Sequence, residues 1–255
     1  MSHIHPTAVI ADGVILGEAV TLGPYVVVEA GVQLGDHCVI EAQSVIKSGV
    51  RMGRHNHVHA HVVLGDAPQD LTFNPDTPSW LDIGDGNVFR EGFIAHRASQ
   101  PEACTLIGDG CYFMNHSHVA HDCVIGNQVI FANNVALGGH VTVGDRAFLG
   151  GAVVVHQFCR IGAFAMVQGT TGLNKDVLPF SMIGGRPARH YRLNRVGLNR
   201  AGVSGEAYRT LELAFRRLRQ KKSLDDMPET EQLAVLRAWL AATSKRGIHE
   251  FAVMA

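Results

Sequence analysis

Stepping six residues at a time from Ile4, the chain meets an apolar side chain at every stop as far as Leu64, and again from Ile107 to Leu173. The two series contain 23 positions without a miss, and in a chain that is 46% hydrophobic such a run arises by chance on the order of once in ten million. A second phase, two residues before each stop, favours small or β-branched side chains, among them Val20, Cys38, Ser44, Cys111, Val129 and Ala165. Glycine recurs just after the stop, as at Gly17, Gly53, Gly108 and Gly126, where a corner would call for permissive backbone angles.

A period of six belongs neither to a 3.6-residue helix nor to an alternating hairpin strand. It fits short strands that form the flat sides of a coil, three hexads to a turn. The expectation is therefore an all-β solenoid, a parallel β-helix of hexapeptide repeats in which residues 18 apart stack on one another. Two segments break the series and read as extruded loops, one near residues 66–81 around "GDAPQDLTFNPDTPSW" and one near 96–106 around "HRASQPEACT". Long loops on a rigid solenoid are where binding commonly resides. The period ends after Leu173, and from about Val196 the composition turns helical. Apolar residues at Tyr208, Leu211, Leu213, Phe215 and Leu218 predict one amphipathic helix, and "ETEQLAVLRAWLAAT" predicts another. The organisation expected is a β-helix over residues 1–190 and a helical domain over 191–255.

Composition narrows the classes. Lys and Arg number 22 against 23 Asp and Glu, so no global field argues for nucleic acid. The longest apolar runs, such as Ala152 to Val155, are far too short for a membrane span, and the start "MSHIHPTAVI" lacks the pattern of a signal peptide. A soluble cytoplasmic protein is the expectation. The cysteines, five in number, form no CxxC pair, and four of them share the small-residue phase, so they read as core fillers rather than ligands or disulfides.

The chemistry gathers in "MNHSHVAHDCVIGNQVIFANN" and the two coils after it. By the 18-residue arithmetic His118, His121, His140 and His156 line one stripe, mixed with amide donors such as Asn133 and Gln157. A zinc site on three imidazoles is one reading, but the amide neighbours suit sugar or phosphate better. "HNHVHAHVV" is a second metal-like motif; its phases suggest that His57 and His59 diverge around the coil and leave a solvated edge. An acid–base site needs an imidazole and an orienting carboxylate, and His121 with Asp122 supplies both, although Asp122 could instead cap a turn. Gly138 and Gly139 stack above Ala120 and His121 and leave a backbone N–H free to stabilise an oxyanion. Base plus oxyanion donor implies acyl transfer. A non-catalytic or zinc-binding solenoid is the competing class.

"HIHPTAVI", "PQDL", "IAHR", "HVAHDCVIGNQVIFANN", "LGGHVTVGD", "VHQFCRIGAFAMV" and "LNRVGLNRAG" occur in that order along almost the whole chain. Together they resemble the acyl-carrier-protein-dependent UDP-N-acetylglucosamine O-acyltransferases of lipid A biosynthesis. The resemblance implies a left-handed β-helix with a C-terminal helical domain, assembled as a homotrimer with active sites between subunits. It implies transfer of a 3-hydroxyacyl chain from the phosphopantetheine of acyl carrier protein to the sugar 3-hydroxyl, with no other cofactor and no metal. On that footing His121 matches the general base, Asp122 its partner and Gly139 the oxyanion donor. His118, His140, Gln157, Asn194 and Arg200 match positions that bind the nucleotide sugar. Gln69 and Asp70 match the acceptor loop, His96 and His156 match other active-site histidines, and Gly169 matches the region that gauges acyl length. Thr72 and Ala201 stand where relatives often carry a basic residue, and "GGRPAR" echoes acetyltransferases that use coenzyme A. A relative acylating another nucleotide amino sugar, or drawing on an acyl-CoA, is the alternative.

Overall fold

The computed structural model describes residues 2–253. Among them the strands form three sheets of 11, 9 and 8 strands, and every third strand along the chain is a neighbour in its sheet. We call these faces I, II and III. Face I runs from His3–Ile4 to Arg189–Leu193, face II from Val9–Ile10 to Gly172–Leu173, and face III from Ile15–Leu16 to Arg160–Ile161. Pairing between coils is parallel, and a hairpin of Ser181–Gly184 with Arg189–Leu193 closes face I in antiparallel fashion. The register is the one that the period demands, with His118 opposite Ala136 and Ala136 opposite Val154.

Both special phases of the hexad point inward. Leu22, Ile40, Val119, Phe131 and Leu149 are completely buried, and so are Val20, Cys38 and Val129, two residues ahead of Leu22, Ile40 and Phe131. One coil reverses the size order, with Ala95 at the stop and Phe93 before it. The Phe93 ring lies 5.1 Å from Phe89 and 4.8 Å from Phe113, so the coil keeps its volume although the two positions exchange roles.

The corner glycines have a different cause from the one expected. Left-handed backbone falls instead two places further on, at glycine in some corners, such as Gly31 (φ 76) and Gly110 (φ 63), and at non-glycine residues in most, such as His37 (φ 58), Gln128 (φ 55), His140 (φ 60) and Phe158 (φ 67). Gly17, Gly53, Gly108 and Gly126 supply space: a Cβ on any of them would run into Asp36, Asp85, Asn127 or Asp145 of the next coil. Those side chains reach back to satisfy corner amides, Asp145 Oδ1 accepting from Asn127 N and Asn127 Oδ1 from Asp109 N, each at 2.8 Å. The cysteines of the small-residue phase are free and buried. Cys111 Sγ donates to the Gly126 carbonyl at 3.2 Å. Burial pushes its thiol up to about 11, and those of Cys123 and Cys159 to about 12.

Both insertions leave from the edge between faces II and III. The first spans 67–79 between Val63–Asp66 and Trp80–Ile83, and the second spans 97–103 between Ile94–His96 and Cys104–Ile107. They are shorter than the sequence suggested because their flanks stay paired, Asp66 with His96 and Trp80 with Cys104.

Beyond the solenoid lie α1 (Arg195–Arg200), α2 (Gly205–Arg219) and α3 (Glu231–Ala241). The short α1 carried no periodic signal in the sequence. In α2 the buried stripe is Leu211, Ala214 and Phe215, whereas Leu213 is 38% exposed; the helical i, i+3, i+4 spacing excludes it. The chain then returns to the last coil, where Ile248 bridges Asp176 and Phe251 bridges His190. His190 accepts the Leu178 N–H at Nε2 (3.0 Å) and donates from Nδ1 to the His249 carbonyl (2.9 Å). His249 Nε2 accepts the Lys175 N–H at 3.3 Å. Burial drives both imidazoles down to about 4.

Two predictions follow from this packing. Gly126→Ala should cost about 1–3 kcal/mol by overpacking, because its Cβ meets Asp145 backbone as well as side chain. Gly172→Ala, whose Cβ would find only a Val154 methyl at 3.8 Å, should leave the melting temperature near wild type. Second, His190 and His249 bind protons less readily when folded than the ordinary imidazole near 6.5. Their stabilisation is complete above about pH 6.5 and is lost as pH falls toward 4. Thermal melts across that window should show stability declining with acid, and a His190→Asn/His249→Asn variant should show a flatter dependence.

Candidate functional site

The corner that follows face II strand His118–Val119 consists of His121 and Asp122. Side chains adjacent in sequence diverge in extended backbone, but Asp122 takes φ 60 and folds its carboxylate back toward the imidazole. Asp122 Oδ2 accepts from His121 Nδ1 at 2.7 Å. Ser99, from the second insertion, donates its hydroxyl to the same oxygen at 2.6 Å and its N–H to both oxygens at 3.2 Å. The Asp122 amide donates to Thr105 Oγ1 at 2.8 Å. Burial alone would raise the Asp122 carboxyl, but the hydrogen bonds from Ser99 and His121 outweigh it and hold the group below the ordinary carboxylate range. An ionised Asp122 fixes the proton of His121 on Nδ1 and leaves Nε2 with its lone pair.

Gly139 lies one coil above. A Cβ there would strike His121 Cε1 at 2.6 Å and Nε2 at 2.7 Å, so glycine is what allows the backbone to close over the reactive end of the ring. The Gly139 carbonyl accepts from Phe158 N at 3.0 Å, and among the described residues its own N–H has no backbone acceptor. His140 meets His121 edge-on at 5.3 Å between centroids, with Nε2 3.7 Å from Asp122 Oδ2. It stacks on Phe158 at 4.6 Å, and the Lys245 ammonium lies 4.3 Å from the centre of that ring. Burial pulls His140 below the ordinary imidazole range, opposed by the charge of Asp122. One donor atom from each of His121, Asp122 and His140 lies within 4.8 Å of the others, a spacing that a cation could also bridge.

Below this dyad His118 meets His96 edge-on at 5.1 Å. His96, 5% exposed, fixes Nδ1 on the Ala67 carbonyl at 2.6 Å. The Nε2 atoms of His96 and His118 are both buried without a hydrogen-bond partner among the described residues. Burial, and then the neighbouring His96, carries His118 down to about 4, so it is a neutral imidazole at physiological pH. On the first insertion, the Thr72 N–H and hydroxyl donate to Asp70 Oδ1 at 2.9 and 2.8 Å. These bonds lower the Asp70 carboxyl, with a smaller contribution from His121. Gln69 is exposed beside it, and His156 and Gln157 are exposed on the coil above His140. Arg246 Nε donates to the Gln157 carbonyl at 2.9 Å.

Three expected site residues lie elsewhere. Gly169 is at the edge between faces I and II, against Gly150 and Gly151. Asn194 caps α1, its Oδ1 accepting from Gly197 N at 3.1 Å and its Nδ2 donating to the Phe164 carbonyl at 2.9 Å. Asn194 and Arg200 line a cleft of about 740 Å³ on face I with Tyr112, Phe148 and Arg192. A single chain does not bring them to His121. Sequence reasoning missed Ser99, Thr105, Phe158 and Lys245. Only Phe158, 18 residues beyond His140, could have been found from the period. The divergence expected of His57 and His59 is also corrected: their rings stack at 4.1 Å, and His55 stacks instead on His37 at 4.9 Å. His57 lies on a face and His59 at the following corner, where the turn folds one ring over the other.

Comparison with known proteins gives consistent matches. The pattern described as UDP-N-acetylglucosamine O-acyltransferase, domain 2, matches residues 176–249, and the bacterial transferase hexapeptide pattern matches 31–66 and 104–139. The acyl-(acyl-carrier-protein)–UDP-N-acetylglucosamine O-acyltransferase of Alkalilimnicola ehrlichii is 45% identical over 259 residues, which covers 97% of this chain and 99% of that one. The protein of the same name from Halorhodospira halophila is 46% identical, covering 90% of this chain and 89% of its own. The crystal structure of a UDP-N-acetylglucosamine acyltransferase from Bacteroides fragilis superposes with a TM-score of 0.90 at 31% identity, over 96% of this chain and 98% of that one. The chain thus belongs to the acyl-(acyl-carrier-protein)–UDP-N-acetylglucosamine O-acyltransferase family, with the left-handed β-helix and helical C-terminal region of its structural neighbours.

Proposed function

We propose that this chain transfers a 3-hydroxyacyl group from the phosphopantetheine thioester of acyl carrier protein to the 3-hydroxyl of UDP-N-acetylglucosamine, the step that opens lipid A biosynthesis. Family membership supports the reaction type. The observation that carries the mechanism is the His121–Asp122 pair closed over by Gly139.

In this reading His121 Nε2 removes the proton of the sugar hydroxyl, and Asp122, ionised and held by Ser99, stabilises the imidazolium. The sugar oxygen attacks the thioester carbonyl carbon. The new C–O bond leaves a tetrahedral oxyanion that the Gly139 N–H receives. Collapse breaks the C–S bond, and the imidazolium returns its proton to the departing sulfur, so base and carrier thiol are both restored. His118, neutral by burial, and His140, pulled by burial below the ordinary imidazole range, offer hydrogen bonds to the sugar. His96, His156 and Gln157 extend that surface, and Gln69 and Asp70 hold the acceptor from the first insertion; Gly169, at the edge between faces I and II, leaves room for the acyl chain of a site shared with another copy. Thr72 puts its donors on Asp70 where relatives often carry a cation, so here the loop is held by hydrogen bonds.

Asn194 and Arg200 belong to the same site only if another copy supplies them. A homotrimer meets that requirement, with face I of one copy against the His121 edge of the next; outward Val9, Val154 and Ile130 are 59%, 53% and 36% exposed on faces I and II. No helix among the described residues is long and apolar enough to cross a membrane. Five free thiols suit a reducing cytoplasm.

His121→Ala should lower acyl transfer by roughly 100- to 10,000-fold while the melting temperature and assembly stay at wild-type values; turnover that survives would reject His121 as the base. Gly139→Ala, which drives a methyl group into the imidazole ring, should lower kcat more than it changes KM in steady-state assays. A mass-spectrometric product screen, offering UDP-N-acetylglucosamine and amino-sugar nucleotides against carrier-protein and coenzyme A thioesters of graded length, should give the O-acylated product with the carrier-protein donor.

A further inference from the structure

The histidine-rich segment 55–61 lies in the coils below the His121 edge and takes no part in the proposed reaction. Glu41 follows one face I strand, and in the strand stacked above it His57 precedes Val58 and His59 follows the strand's end. Glu41 Oε1 lies 2.7 Å from His57 Nε2 and 3.2 Å from His59 Nδ1. One donor atom from each of the three residues falls within 4.8 Å of the others. Glu91 of the next coil brings a second carboxylate, its Oε1 3.9 Å from His59 Nδ1, while both its oxygens are also held by Arg90 at 2.8 and 3.1 Å.

We propose that Glu41, His57 and His59 form a divalent transition-metal site of the zinc type. Two imidazole nitrogens and one carboxylate oxygen are a ligand set that zinc accepts in tetrahedral geometry, with metal–ligand distances of about 2.0–2.2 Å. Such a tetrahedron has edges of about 3.3–3.6 Å; the present 2.7 and 3.2 Å spacings are those of a shared carboxylate, and the His57 and His59 rings, stacked at 4.1 Å, must turn out of their stack for both nitrogens to face one ion. The fourth position falls to water or to Glu91. Nitrogen and oxygen donors without thiolate favour Zn²⁺, Co²⁺ or Ni²⁺ over softer ions. The ligands are partly exposed, with side-chain exposures of 38, 39 and 19%, which gives a metal a path of entry. Because the ligands come from successive coils, the ion would act as a staple across the stack just before the first insertion leaves it. It would hold only the folded state, and its binding would appear as added stability.

The test uses the full chain, stripped with a chelator and then dialysed against ZnCl₂. One zinc per chain is expected by metal analysis, with a melting temperature that rises saturably with zinc. Both effects should vanish in Glu41→Gln and in His57→Ala/His59→Ala, and persist in His121→Ala/His140→Ala, which removes the other convergent group. No retained zinc in the wild-type protein, or zinc lost with His121 and kept without His57 and His59, overturns the proposal; Glu41 is then a carboxylate shared by two imidazole N–H groups. If the His57→Ala/His59→Ala variant folds poorly, Co²⁺ in the wild type decides. Intense visible bands of a tetrahedral site, altered by Glu41→Gln, support the proposal, and a weak octahedral spectrum sinks it.

Discussion

Closure of a coil in 18 residues is the constraint from which the rest of this molecule follows. Three flat sides require three corners, and most corners place a non-glycine residue in left-handed backbone, a conformation that costs roughly 1–2 kcal/mol per residue. The cost is offset one coil away, where the corner amide finds a carbonyl and the stacked side chains find each other. His140 N donates to the His121 carbonyl at 3.0 Å and Arg146 N to the Asn127 carbonyl at 2.8 Å. Arg146 Nε reaches Gln128 Oε1 at 2.7 Å. No single coil could hold these angles alone, so the strain and its compensation both belong to the stack.

The site uses the same geometry. Asp122 sits at a left-handed corner, and that single dihedral turns a sequence neighbour into a hydrogen-bond partner of His121. Gly139 departs from the usual reason for glycine in proteins: its φ is not left-handed, and what it provides is the absence of a side chain above an imidazole. Because both insertions leave from the edge where the dyad lies, a regular scaffold acquires two irregular walls around one reactive nitrogen. Ser99 shows the dependence most directly, since the loop residue carries the hydrogen bonds that keep Asp122 ionised despite its burial.

Much of this was legible from the order of residues. The hexad period announced the coil, its register and the inward phases, and the same arithmetic set His121, Gly139 and His140 on one edge. Periodicity was blind wherever the count breaks. Ser99 lies 23 residues before Asp122, across an insertion, so no multiple of the coil points to it. Likewise the role of the corner glycines was misassigned, because composition cannot separate a need for unusual angles from a need for space. His57 and His59 looked divergent because phase records the direction of the Cβ and not where a long ring finally rests. Asn194 carried a polar label that says nothing of its place in the fold, where its amide caps α1 and donates to the Phe164 carbonyl.

The thiols buried in the small-residue phase bear on the fidelity of the proposed chemistry. An acyl thioester is open to capture by any accessible thiolate, which would exchange the carrier's sulfur for the enzyme's and leave a self-acylated protein. With pKa values near 11 to 12 at Cys111, Cys123 and Cys159, only about one thiol in ten thousand or fewer is ionised at neutral pH. Cys123 is fully buried two residues from His121, so the sulfur nearest to the base in sequence is also one of the least able to compete with the sugar for the acyl group.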